Sequence, residues 1–314
     1  MKAGTPGSSR STTPGQWIAG ARPKTLAAAV VPVAVGTSVA YFTGTTLEPF
    51  QFWLRAFLAL VVSIALQVGV NYANDYSDGI RGTDEKRVGP VRLVGQRLAE
   101  PSAVRNAALI CLGVAAIAGL ILVLLAHAWW LIPVGLLAIL AAWFYTGGPK
   151  PFGYSGLGEV VVFIFFGLVA VVGTTFVLTG SIRLLAVILA VPVGLFACAM
   201  LVVNNLRDIS GDLGANKRTI AVRLGDPNTR QLYTACLVVP FIIVALVGVG
   251  GIGFIDLFPA GALFGLVPAP LASLPLRRIN RGDVGPDLVP VLVATARLQL
   301  AFGLLLALGV AISK

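Results

Sequence analysis

The chain has 314 residues, of which 57% are hydrophobic and 11% charged, with a net charge of +10 and a mean hydropathy of +0.90. An ordinary soluble domain carries about 25% charged residues, so the apolar surface here exceeds what one water-soluble core buries, and the bilayer is the expected solvent. A transmembrane β-barrel is disfavoured by runs such as LICLGVAAIAGLILVLLA (109–126), which do not alternate between apolar and polar residues.

Residues 1–14 combine Ser, Thr, Gly and Pro with Lys2 and Arg10 and hold no apolar stretch like that of a secretory signal, so they are expected to form a disordered tail. Residues 15–314 are expected to form a single transmembrane domain. Its first apolar span is 26–44, preceded by Arg22 and Lys24, which either reach an anionic ligand or anchor the helix at the lipid headgroups. The second, 51–73, runs into NYANDYSDGIRGTDE (71–85), where Asp75, Asp78, Asp84 and Glu85 gather. On a helix Asn74 and Asp78 share a face, as do Asn71 and Asp75, so this end presents a fan of oxygen ligands.

Spans three and four, 103–126 and 128–146, carry no Asp or Glu; His127, the only histidine, lies in the turn between them with no second ligand or nucleophile nearby in sequence. A Gly/Pro-rich loop, YTGGPKPFGYSGLGE (145–159), then brings Tyr145, Lys150 and Tyr154 ahead of Glu159. Tyr145 or Lys150 would orient or help deprotonate a bound acceptor, while an acid such as Glu159 is costly if it faces lipid and otherwise serves as a helix cap. Span five, 157–179, holds Phe163, Phe165 and Phe166, which either pack or line a ligand tunnel, where their ring faces would stabilise a cation.

Span six, 183–204, runs into a second polar stretch, NNLRDISGDLGANKRT (204–219), in which Asn204, Asp208 and Asp212 recur at every fourth position. Three further spans, 230–253, 256–275 and 287–312, complete a count of nine, the last with Arg297 inside it. An intramembrane arginine is a site candidate by default. Cys111, Cys198 and Cys236 fall within spans at unpaired spacings and read as small buried hydrophobes.

With the N-terminus cytoplasmic, nineteen of the 23 Lys and Arg fall on the inner side and only Arg55, Arg183 and Lys314 on the outer. That bias follows the positive-inside rule, and it accounts for the net charge without nucleic acid. Four spans separate the two acidic stretches, so both reach the same face, as in a chain of two related four-helix halves plus one helix. Acidic clusters on one face repel unless a cation lies between them. Hard oxygen ligands without Cys or His suit Mg²⁺, which takes one or two carboxylates plus the phosphate oxygens of a substrate. Arg81, Lys86, Arg87 and Arg92 beside the first stretch, and Arg207, Lys217 and Arg218 beside the second, would neutralise the remaining phosphate charge. A diphosphate head with a lipid-soluble tail, such as an isoprenyl diphosphate, meets both demands. Its ionisation leaves an allylic cation that a membrane-embedded pocket keeps from water.

These features resemble the UbiA superfamily of membrane prenyltransferases, from about residue 17 to 312. Within it the pattern is similar to the 1,4-dihydroxy-2-naphthoate polyprenyltransferase branch in ARPKTL (21–26), NDYSDGIRGTD (74–84), GPVRLVG (89–95), YTGGPKPFGYSGLGE (145–159), FFG (165–167) and NNLRDISGDLGANKRTIAVRLG (204–225). Superfamily members often place a third acid four residues after the second; here Gly82 stands at that position and the acid comes at Asp84. The resemblance implies a nine-helix transmembrane bundle in the cell membrane with its site at the cytoplasmic face. It also implies transfer of a polyprenyl chain from its diphosphate to 1,4-dihydroxy-2-naphthoate, with loss of CO₂, to give demethylmenaquinone. Asp75, Asp78, Asp84, Asp208 and Asp212 would then face Mg²⁺. Asn71, Asn74, Arg81, Arg92, Asn204, Asn205, Lys217 and Arg218, with Arg22, Lys24, Tyr154 and Glu159, would surround the substrates. A different acceptor, 4-hydroxybenzoate or homogentisate, or a related branch that uses phosphoribosyl diphosphate, is the alternative within the superfamily. A transporter of an anionic or divalent species fits less well, since both acidic stretches lie at one face and the spans between them are almost uncharged.

Overall fold

The computed structural model describes residues 12–82, 91–252 and 257–314, and every regular element among them is helical. In chain order these are α1 (Pro14–Gly20), α2 (Ala27–Thr43), α3 (Pro49–Ile80), α4 (Pro101–Ala126), α5 (Leu131–Phe144), α6 (Gly158–Val162), α7 (Ala170–Thr179), α8 (Leu184–Gly214), α9 (Ile220–Gly250), α10 (Ser273–Arg281) and α11 (Val289–Ile312). A π-helical stretch, Phe163–Val169, joins α6 to α7.

Seven helical stretches are long and apolar enough to cross a membrane, and an eighth is reached if α2 is joined to the preceding helical segment Pro14–Thr25 across a 51° bend. The remaining expected span is α5, whose 14 residues reach only about 21 Å along a helix axis. Nine is therefore an approximate count. The expected tail reaches the described residues only at 12–14, where Thr12 donates to the Leu98 carbonyl at 2.6 Å and Thr13 caps α1.

The bundle is apolar on its outside as well as its inside. Phe50, Trp53, Phe57, Ile110, Ile117, Leu137 and Leu246 are all exposed, a surface suited to lipid and not to water. The interior is built where α3 packs along α4, α8 along α9 and α2 along α11. Close approach there depends on glycine. A Cβ at Gly309 would run into the Gly261 carbonyl oxygen, and one at Gly167 would sit 2.8 Å from the Gly194 Cα. Such small-residue contacts let helices associate by packing where lipid supplies no hydrophobic drive.

Arg55 has a structural task. Its guanidinium donates to the Val177 carbonyl at 2.9 Å and the Leu125 carbonyl at 2.6 Å, satisfying acceptors at the ends of α7 and α4. His127, with φ of +50°, forms the C-cap of α4. The three cysteines are free, with Cys198 and Cys236 buried.

Candidate active site

Both polar stretches extend their helices instead of ending them. α3 continues through Asp78 to Ile80, and α8 through Asp212 to Gly214, so their carboxylates are carried on rigid backbone. The two helix ends meet: Lys217, just after α8, places its Nζ 3.4 Å from an Asp78 oxygen, with both side chains buried. Tyr154, in the loop between α5 and α6, donates its hydroxyl to the same Asp78 oxygen, and its ring lies 4.4 Å under the Lys217 ammonium. Burial, and then the neighbouring Asp78 carboxylate, push the Tyr154 phenol above its usual range, so it stays protonated as a donor and does not act as a base.

This cluster closes one end of a cavity of about 1150 Å³ that runs among α3, α4, α5, the α6–α7 segment and α8. Asn71, Asn74, Asp78, Arg92, Tyr145, Tyr154, Asn204, Asn205, Asp212 and Lys217 line its polar end, together with Arg22 and Lys24. Apolar side chains line the rest. The phenylalanines of the π-helical stretch divide: Phe165 and Phe166 face the cavity, whereas the Phe163 ring packs over Gly194.

Several predicted residues sit elsewhere for definite reasons. Asp75 is fully buried and accepts the backbone N–H groups of Leu93 at 2.7 Å and Val94 at 3.2 Å, away from the cavity lining. It pins the 91–98 segment that carries Arg92 into the cavity. Asp75→Ala is expected to cost about 3 kcal/mol of stability, because two buried donors lose a charged acceptor. Asp75→Asn should recover part of that, since its amide oxygen still accepts one of them. The midpoint of thermal unfolding in detergent reads both, and an unchanged midpoint in the alanine variant would remove this role.

Arg81 donates to the Thr146 and Gly148 carbonyls, tying the end of α3 to the loop between α5 and α6. Arg218 is exposed, and its N–H donates to the Tyr154 carbonyl at 2.8 Å. Glu159 is buried and accepts from Asn205 at 2.9 Å, so it orients a cavity-lining amide and does not itself line the cavity. Lys150 is exposed and is not among the residues that line the cavity. Arg297 is exposed on α11 and does not line the cavity either. Asp84, with Lys86 and Arg87, lies outside the described residues.

Asp208 is held by its neighbour. Arg207 Nε and Nη2 grip its two oxygens at 2.8 and 2.7 Å, and Nη2 also donates to Asn204 at 2.8 Å. Arg207 lines the cavity, is 6% exposed, and its buried Nη1 has no hydrogen-bond partner. Gln67, Thr25 and Thr146 also reach the polar end; Gln67 donates to Thr25 at 2.9 Å and Thr146 to Asn74 at 2.7 Å. Gln67 carries a signal the sequence reading passed over: it is a polar residue within an apolar span, one helical turn before Asn71.

The donor set suits Mg²⁺. Asp78 and Asp212 supply hard oxygens with Asn74 and Asn204 beside them, and among the described residues no group of three or more His, Cys, Asp and Glu forms a closed cage. Few protein carboxylates with room for phosphate oxygens is how Mg²⁺ is usually held. The orphaned Arg207 Nη1 and the buried Lys217 give such a phosphate its cationic partners.

Residues 29–283 match the UbiA prenyltransferase family. The chain is 50% identical over 277 residues to a 1,4-dihydroxy-2-naphthoate octaprenyltransferase of Mycobacterium leprae, covering 88% of this chain and 90% of that one. It is 47% identical to the protein of the same name from Mycobacterium tuberculosis (93% and 95% covered) and 34% identical to that from Escherichia coli (95% and 96%). Among solved structures, the apo UbiA homolog from Aeropyrum pernix matches with a TM-score of 0.63 at 15% identity, covering 88% of this chain and 95% of that one. A UbiA homolog from Archaeoglobus fulgidus bound to DMAPP and Mg²⁺ matches with a TM-score of 0.56 at 14% identity (93% and 99% covered).

Proposed function

The chain belongs to the UbiA prenyltransferase family, and on that premise we propose that it transfers a polyprenyl group from its diphosphate to 1,4-dihydroxy-2-naphthoate, with loss of CO₂, in menaquinone synthesis. The observation that carries the reading is the juxtaposition of Asp78, Asp212, Lys217 and Arg207 at one end of a deep apolar cavity. That end fits a diphosphate and the remainder fits an isoprenoid. The naphthoate acceptor rests on three relatives of that name that align along nearly their whole length.

Asp78 and Asp212, with Asn74 and Asn204, would hold Mg²⁺, which when bound supplies positive charge to the leaving diphosphate. Lys217 and Arg207 then meet the phosphate oxygens as the C–O bond breaks and negative charge gathers on them. Because both are already fixed by Asp78, Asp208 and Asn204, little reorganisation accompanies that step. The apolar wall excludes water from the allylic cation, leaving the electron-rich ring as the nucleophile. The new C–C bond takes its electron pair from the ring, and departure of the carboxylate as CO₂ restores aromaticity. No nucleophilic side chain takes part. Tyr145 lines the cavity, and we assign it to orienting the acceptor. The positive-inside bias of the sequence supports a site at the cytoplasmic face of the cell membrane.

Purified protein supplied with Mg²⁺ and a polyprenyl diphosphate should convert 1,4-dihydroxy-2-naphthoate, and neither 4-hydroxybenzoate nor homogentisate, to a prenylated product detected by mass spectrometry. Reaction of a benzoate with the naphthoate inert would overturn the acceptor assignment.

A further inference from the structure

We propose that Gly119, Gly135 and Gly173 keep the far end of the cavity open and set the length of prenyl chain the protein accepts. The inference rests on the prenyl diphosphate reading above. Glycine inside a helix costs stability relative to alanine, so each such residue calls for a reason. At other positions in the bundle, such as Gly167 and Gly309, the reason is close packing. These three have no such reason. A Cβ at Gly135 or Gly173 would meet no atom within 4 Å, and one at Gly119 would meet only a Val62 methyl at 3.8 Å. None has the positive φ that would demand glycine.

All three line the cavity, from three different helices, α4, α5 and α7. Their level is fixed by their neighbours. The Trp130 ring meets the Phe176 ring edge-on at 4.9 Å, which sets the start of α5 beside the end of α7. Gly135 lies five residues beyond Trp130 and Gly173 three residues before Phe176, so both fall within about 8 Å of that level along their helices. Gly119 faces Val62, sixteen residues before Asp78 on α3, about 24 Å along the axis from that carboxylate. The head group is held at the opposite end, where buried Arg207 presents its unpartnered Nη1. A tail threaded from there reaches the glycines last, and the missing side chains are the space it needs.

The test measures binding of two donors, geranyl diphosphate and octaprenyl diphosphate, to the full-length protein with Mg²⁺ and no acceptor. Leucine at position 119, 135 or 173 should raise the octaprenyl Kd relative to the geranyl Kd by about tenfold, the equivalent of two methylenes expelled from the cavity. The corresponding alanine variants should shift the ratio in the same direction by less, which covers any leucine variant that does not fold. Gly113→Leu is the control: it lies on α4 with equally open space around its Cβ but does not line the cavity, so its ratio should match the wild type. A wild type that binds both donors, with the ratio unmoved in all three cavity variants, overturns the chain-length role alone. A wild type that binds neither donor overturns the donor assignment and this inference with it.

Discussion

Asp78→Asn and Asp212→Asn are each expected to lower kcat/KM by about 10³, or about 4 kcal/mol of transition-state stabilisation, the range found when a preorganised electrostatic group is removed. Asp78 is where the two polar stretches touch, through Lys217 at 3.4 Å, and where the Tyr154 hydroxyl is anchored. The asparagine keeps an oxygen for Tyr154 and nearly the same volume, so the folded protein should survive while the charge proposed to hold the metal is lost. Alanine at position 78 is a harsher test, since it also strands a buried lysine, and its loss of activity would mix chemistry with stability. The assay is steady-state turnover across a Mg²⁺ titration, with unfolding midpoint measured alongside. Loss of activity should come with a higher Mg²⁺ requirement at Asp78→Asn and at Asp212→Asn. Activity kept at a tenth of wild type or better in both would remove the metal-bridge argument.

Helical periodicity carried much of this arrangement into view before the fold. Asn74 with Asp78, and Asn204 with Asp212, each recur on one helix face, and all four line the cavity. The even number of expected spans between the stretches put them at one end, and the 3.4 Å pair between Lys217 and Asp78 joins them there. Periodicity is silent about partners from elsewhere in the chain. Asp75 and Asp78 look alike in sequence, but three residues turn a helix by about 300°, and Asp75 meets the amides of a segment beginning at 91 that no local pattern could place against it. The same limit applies to the loop between α5 and α6. Its Gly and Pro content signals a turn but not which of Tyr145, Lys150 and Tyr154 points inward, and Lys150 points out. Span counting is approximate at two points, a short α5 and a bend of 51° just before α2, because hydropathy reports apolar length and not axis direction.

Arg207→Gln is expected to lower kcat/KM by 10² or more, about 3 kcal/mol, while leaving Asp78 and Lys217 in place. The guanidinium is buried at the cavity wall with Nε and Nη2 committed to Asp208 and Asn204, and only Nη1 is left without a partner. A buried donor without an acceptor is costly, and a phosphate oxygen is the acceptor the cavity would bring. Asp208 would then act through Arg207: its carboxylate offsets the buried charge and fixes the guanidinium at two atoms. Two consequences separate this from direct metal binding by Asp208. First, Arg207→Lys should rescue little, because one ammonium cannot hold Asp208 at both oxygens and still reach the phosphate. Second, Asp208→Asn combined with Arg207→Gln should cost scarcely more than Arg207→Gln alone, the signature of two residues working as one unit. A fully additive cycle would assign Asp208 its own contact with metal and dissolve the coupling argued here from the 2.7 and 2.8 Å pair.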